Sequence, residues 1–73
     1  MFDYRKLNGR IIEKAGSKKR FAQMVGLSEN SVSRKLSQKR PIKTEEIVAW
    51  SAPDILDIPP EEYPEYFFKE KED

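Results

Sequence analysis

The chain has 73 residues, a net charge of +1, and neither cysteine nor histidine. A chain of this length forms one domain that buries only about 60% of its unfolded surface, which favours binding on an exposed face over catalysis in a deep cavity. Because disulfides, thiolate metal sites and the commonest general base are excluded, we expect no cofactor, no metal and no catalytic residue.

The small net charge hides a separation of charge along the chain. Residues 1–43 contain twelve lysines and arginines and three acidic residues, a net charge of +9. Residues 44–73 contain two lysines and ten acidic residues, a net charge of −8. This asymmetry indicates that the first part faces a polyanion, with ordinary solvation of helices as the alternative. No apolar run approaches a membrane span or a signal-peptide core, so we expect a cytoplasmic protein with no membrane partner.

Apolar residues at helical spacing predict a first helix from Asp3 to Ala15. Asp3 is its expected N-cap, and Gly16 its expected left-handed C-cap. The pair Asn8-Gly9 could instead form a hairpin turn, but the flanking segments do not alternate as strands do.

Two short helices are predicted next, over residues 18–25 and 29–37. Ser17 and Ser28 are their N-caps, and Gly26 ends the first of them. The two helices are therefore separated by only three residues. The apolar residues assigned to the core are Phe21, Val25, Leu27, Val32, Leu36, Ile47 and Trp50.

A fourth helix is predicted from Thr44, because acidic residues in the first turn suit the helix dipole. Its apolar face comprises Ile47, Val48, Ala52, Ile55 and Leu56. Pro53 cannot donate a backbone hydrogen bond, so we expect a kink or break near Ser51.

The last part of the chain is predicted to contain a fifth short turn that starts at Pro59-Pro60. Three consecutive aromatic residues, 66–68, do not fit a one-sided helix and predict a short extended segment. Residues 69–73 are expected to form a frayed acidic tail after a single domain of residues 1–68. The predicted fold is thus all-α, a compact bundle of four to five short helices with an extended aromatic C-terminal segment.

The segment "SKKRFAQMVGLSENSVSRKLSQKR" resembles the helix-turn-helix of phage Cro and lysogeny-repressor proteins. The chain as a whole resembles small Cro-like regulators from phages of Gram-positive bacteria. This resemblance implies a lambda-repressor-like domain that regulates transcription in the host bacterial cell by reading operator DNA with helix 29–37. Two positions depart from the family pattern: Lys18 stands where glutamine is frequent, and Lys35 precedes Leu36 where an apolar residue is common.

The resemblance assigns base reading to the outer face of the third helix, at Glu29, Asn30, Ser33 and Arg34. Asparagine suits adenine and arginine suits guanine, whereas a carboxylate is repelled by phosphates unless it meets a cytosine amino group. Glu29 has a second interpretation, stabilisation of the helix N-terminus. Phosphate contacts are expected from Lys18, Lys19, Ser28, Gln38, Lys39, Arg40 and Lys43. Solvation is the alternative for the exposed basic residues among them.

The expected partner is double-stranded operator DNA, bound by a homodimer as in other proteins of this type. The aromatic segment "YPEYFF" offers a dimer surface, unless Phe67 and Phe68 fold back over Phe2 and Tyr4. Glu29 and the acidic, aromatic C-terminal part suggest a second function. In this function the protein would be an antirepressor or modulator that binds a partner phage repressor protein. An enzyme is a weaker interpretation, because the adjacent carboxylates of Glu45-Glu46 and Glu61-Glu62 point apart and do not flank a substrate. An RNA-binding protein is also weaker, because no aromatic stacking platform is evident.

Overall fold

The fold is described by a computed structural model that covers residues 1–72. The elements of this part are α1 (Arg5–Ala15), α2 (Lys18–Val25), α3 (Glu29–Leu36), α4 (Thr44–Trp50), a 3₁₀ helix (Pro60–Glu62) and α5 (Tyr63–Phe67). The predicted all-α class is confirmed, and α2 has the predicted bounds. Within residues 1–72 no helix is long and apolar enough to cross a membrane.

Local hydrogen bonds define both ends of α2. The hydroxyl oxygen of Ser17 accepts the backbone N–H of Arg20 at 3.0 Å, as an N-cap does. Gly26 follows the helix with a φ of 75°, and the N–H of Leu27 donates to the carbonyl of Ala22 at 2.9 Å. This is a left-handed helix end that favours glycine, and it turns the chain directly into α3.

The third helix is capped in the same way, with one exception. Ser28 accepts the N–H of Ser31 at 3.1 Å, which confirms it as the N-cap. At the other end the left-handed position, with a φ of 65°, is occupied by Gln38 and not by glycine. The N–H of Lys39 donates to the carbonyl of Arg34 at 2.9 Å, so the loop folds back onto the end of α3.

The core lies where all five helices meet. Its fully buried side chains are Leu7, Ile11, Phe21, Val32, Trp50, Leu56 and Phe67. The rings of Phe21 and Trp50 meet edge to face with centroids 5.0 Å apart. Of the predicted core residues, Val25 and Leu27 are half-buried and pack against the core, and the other five are buried.

The third helix ends at Leu36, one residue before the predicted end, and the first and fourth helices can be compared with the prediction in the same way. The first helix begins at Arg5, because the Asp3 carboxylate accepts the N–H of Arg5 at 3.0 Å from just outside the helix. The fourth helix ends at Trp50, which confirms a break near Ser51. The predicted apolar face of that helix was wrong at Val48, which is 55% exposed, because the chain after Ser51 reaches the core from a turn.

The aromatic segment forms α5, so the prediction of an extended segment was wrong. Tyr63 and Phe67, four residues apart, share one face of the helix with ring centroids 6.1 Å apart. Phe67 is buried in the core, while Phe68 meets Phe2 edge to face at 5.9 Å. The predicted fold-back of this segment therefore occurs for Phe68 onto Phe2, whereas Phe67 joins the core.

The start of the predicted frayed tail is held by the N-terminal segment. The N–H of Asp3 donates to the carbonyl of Lys69 at 2.7 Å, and that of Lys71 donates to the carbonyl of Met1 at 2.9 Å. Phe2 and Glu70 form an isolated antiparallel bridge. Asp73, the last residue of the predicted tail, lies outside the described residues.

Candidate interaction surface

The predicted base-reading residues all lie on α3. Glu29 and Ser33 are one helical turn apart, as are Asn30 and Arg34, so the four share one side of the helix. Glu29, Asn30 and Arg34 are exposed, and Ser33 is half-buried. The helix therefore presents a polar face of mixed charge to its surroundings.

The exposed carboxylate at the head of this face is Glu29. It lies in the first turn of α3, where the helix dipole favours a negative charge. The same charge opposes the approach of a nucleic-acid backbone, because phosphates are negative as well. At this position the geometry suits a basic or polar partner better than a polyanion.

A second group of predicted residues surrounds the start of α2. Lys18 and Lys19 are exposed in its first turn. Arg20, which was not among the predicted phosphate contacts, is exposed beside them. Lys19 and Arg20 border one shallow depression together with Ser17. Free N–H groups and three cations make this helix start attractive to anions.

The hydroxyl of Ser28, predicted to contact phosphate, is already engaged. It accepts the N–H of Ser31 and donates to the Ser31 hydroxyl oxygen at 3.0 Å. Its role in the described structure is to begin α3.

Three further cations lie in or next to the loop between α3 and α4. The N–H groups of Lys39 and Arg40 both donate to the carbonyl of Arg34, at 2.9 and 3.3 Å. The two residues therefore sit beside the C-terminal end of α3, where a positive charge is also favoured by the helix dipole. Lys43 is exposed at the N-cap of α4, where its N–H donates to the Glu46 carboxylate at 2.9 Å.

Gln38, another predicted phosphate contact, uses its side chain inside the protein. Its amide oxygen accepts the N–H of Phe2 at 2.9 Å, and its amide nitrogen donates to the carbonyl of Phe2. These two bonds hold the N-terminal segment against the end of α3. A phosphate contact from this side chain would require breaking both.

A buried ion pair, which the sequence analysis did not identify, joins α3 to α4. The Lys35 ammonium lies 2.8 Å from the Glu46 carboxylate, and these side chains are only 8% and 18% exposed. Burial raises the pKa of Glu46, but the hydrogen bonds from Lys35 and from the Lys43 backbone outweigh burial and hold that pKa below its ordinary value. The sequence feature that could have indicated this ion pair is Lys35 itself, which stands where an apolar residue is common.

The chain from α4 to α5 is acidic, in contrast to the basic residues of α2 and of the loop after α3. Residues 44–68 contain seven acidic residues and no lysine or arginine. Among the described residues, the ion pairs of this segment are Lys35–Glu46 and the exposed pair Lys6–Glu65. No group of three or more acidic residues within residues 1–72 is arranged to hold a metal ion. Most acidic side chains of this segment therefore form no ion pair within the described residues, and the separation of charge along the sequence is also present on the surface.

Comparisons with known proteins identify a family and a similar solved structure. Residues 1–70 match the model of a family described as "Protein of unknown function (DUF739)". The solution structure of the modulator of repression (MOR) of the temperate bacteriophage TP901-1 from Lactococcus lactis is similar, with 43% sequence identity and a TM-score of 0.77. The match covers 92% of this chain and 88% of that one. A comparison with curated proteins finds no match.

Proposed function

The chain belongs to the DUF739 family, and we propose that it regulates a phage genetic switch by binding a partner repressor protein. The observation that carries this proposal is the similarity to a phage modulator of repression over almost the whole of both chains. The described function of that protein, to modulate repression, implies a repressor on which it acts. On this proposal the protein is not an enzyme, and it acts in the cytoplasm of the host bacterium.

The geometry of the surface supports a protein partner. Glu29 places a negative charge at the head of α3, and the side chains of Gln38 and Ser28 are engaged in internal hydrogen bonds. These features weaken the face that would read DNA. The acidic segment 44–68 adds a surface that attracts a basic protein and repels a nucleic acid.

Direct DNA binding as a Cro-like repressor is the second candidate. It is supported by the tight turn between α2 and α3, which is a feature expected of a helix-turn-helix, and by exposed Asn30 and Arg34 on α3. The exposed cations of α2 and of the loop after α3 would supply phosphate contacts. In this function a homodimer would bind two operator half-sites.

Two titrations separate the candidates. The first mixes the protein with the purified repressor of the same phage and measures complex formation by isothermal titration calorimetry. The second measures fluorescence anisotropy of operator fragments with the protein alone at increasing salt. We expect a stoichiometric complex with the repressor and no preference for the operator over a scrambled fragment.

Specific operator binding without complex formation would overturn the leading proposal in favour of the second. In that case Arg34→Ala should weaken operator binding by about 5- to 150-fold, because a bidentate arginine–guanine contact discriminates by roughly 1–3 kcal/mol. Lys69→Ala is the matched control, since Lys69 is an exposed cation that follows α5 and is not among the predicted DNA-contacting residues. Specific DNA binding that is lost equally in both variants would argue against groove reading by α3.

A further inference from the structure

An apolar pocket opens on the acidic side of the molecule, between the end of α4 and the 3₁₀ helix. Its volume is about 490 Å³, and its walls include Val48, Ala52, Pro59, Pro60 and Tyr63. Val48 projects from the helix with 55% of its surface exposed. An exposed β-branched residue beside a proline-lined depression provides an anchor for another apolar side chain.

The lining of this pocket also includes an unpartnered polar group. Ser51 is only 5% exposed, and its hydroxyl oxygen is buried without a hydrogen-bond partner among the described residues. Buried hydroxyls in folded proteins normally have a partner. A polar group that accompanies an apolar anchor into the pocket would supply one after a small rotation of the serine side chain.

Acidic residues lie in the lining of this pocket or next to lining residues along the chain. Asp57 belongs to its lining, while Asp54, Glu61 and Glu62 are exposed at adjacent chain positions. None of the four forms an ion pair within the described part of the chain. The nearby Arg10 donates to the carbonyl oxygens of residues 56 and 57 and pairs with Glu13, so it does not neutralise these carboxylates directly.

We infer that this pocket docks a segment of a partner protein in which an apolar side chain is flanked by lysine or arginine. The apolar side chain would lie against Val48 and Tyr63, and the basic residues would meet Asp57 and the acidic residues next to the lining. A nucleic acid is disfavoured because its phosphates would face four negative charges. The inference rests on the proposed function, since it names the surface with which the protein would hold the repressor.

The test measures the dissociation constant of the complex with the repressor of the same phage for four variants. Val48→Ser and the double variant Glu61→Lys, Glu62→Lys should each weaken binding by about tenfold or more. Ile12→Ser and Glu72→Lys are the matched controls. Ile12 is an equally exposed apolar residue on α1 (53%), and Glu72 is an exposed acid that follows α5 and does not line the pocket. Both controls should bind like the unchanged protein.

A second probe does not depend on the repressor. A synthetic peptide with one leucine between two lysines and two arginines is titrated into ¹⁵N-labelled protein, beside the same peptide with glutamates in place of the basic residues. Only the basic peptide should shift backbone amide signals, and the shifts should concentrate in residues 48–63.

The outcomes separate the inference from the proposed function. A complex that is insensitive to Val48→Ser and to the charge reversal overturns the docking site and leaves the proposed function standing. Failure of the repressor to bind, with the peptide shifts present, overturns the proposed function and supports the site. Absence of both overturns both. Concentration-dependent shifts without any peptide, abolished by Val48→Ser, would identify a second copy as the occupant and overturn the inferred partner.

Discussion

Replacing Glu46 by glutamine tests the structural weight of the buried ion pair. The variant keeps the shape of the side chain but leaves the Lys35 ammonium, 8% exposed, without a counter-charge. Breaking a buried pair from one side costs about 3–5 kcal/mol, because the remaining charge stays desolvated. Since Glu46 is 18% exposed and glutamine still offers an oxygen, we expect a loss of about 2–3 kcal/mol.

This loss is large for so small a protein. A domain of this size is stable by roughly 4–11 kcal/mol, and its melting temperature falls by about 4–8 °C for each kcal/mol lost. The melting temperature of Glu46→Gln should therefore fall by roughly 10–20 °C. Urea unfolding followed by the fluorescence of Trp50, which is 1% exposed, measures the free energy directly.

The matched control is Glu65→Gln. The Lys6–Glu65 pair has the same 2.8 Å separation as the buried pair, but its side chains are 47% and 65% exposed. Exposed pairs contribute about 0–1 kcal/mol, so this variant should unfold almost like the unchanged protein. Equal losses in the two variants would refute the argument that burial, and not distance, sets the contribution of an ion pair. Adding Lys35→Met to Glu46→Gln should restore much of the loss, since it removes the uncompensated charge.

Four further predictions concern the backbone and the pH. Gly26→Ala should destabilise the protein by about 1–2 kcal/mol, because its φ of 75° is unfavourable for alanine although a Cβ would meet no atom within 4 Å. Gly9→Ala should stabilise the protein by about 1 kcal/mol, because Gly9 lies inside α1 and a Cβ there would also meet no atom within 4 Å. In thermal melts the melting temperature should therefore fall for Gly26→Ala and rise for Gly9→Ala. Gln38→Ala should lower stability more than Gln38→Gly, because both lose the bonds to Phe2 but only glycine relieves the positive φ; equal losses in urea titrations would contradict this. Hydrogen bonds from Arg5 lower the pKa of Asp3 to about 2, so its stabilising contribution is complete above the ordinary pKa of 3.8 and is lost as the pH falls towards 2. The Asp3→Asn variant should therefore show a flatter loss of stability between pH 4 and pH 2 in urea titrations.

The helix starts and the turn after α2 were predictable because their signals are local. Ser17 and Ser28 each bond to a backbone N–H three residues ahead, and Gly26 adopts a φ that glycine favours. Such interactions depend on neighbours along the chain and leave a direct trace in the sequence. The break near Ser51 was predictable for the same reason, through Pro53.

The composition of the candidate site was predictable only in part. The exposed positions of Asn30 and Arg34 follow from the helical spacing of Val32 and Leu36, which point inward. The hydrogen bond between Phe2 and the Gln38 side chain joins residues 36 positions apart, and no local sequence pattern predicts it. The same is true of Lys35, whose burial depends on a carboxylate from α4.

By itself, the sequence determined the helical class, the caps of α2 and α3, and the separation of positive from negative charge along the chain. The tertiary structure alone decided that Val48 faces outward, that the aromatic segment forms α5, and that the end of the chain pairs with its beginning. The reason is physical. Caps and charge are properties of short stretches of chain, whereas burial of a given side chain depends on which distant segment covers it, and that is settled only when the whole core packs.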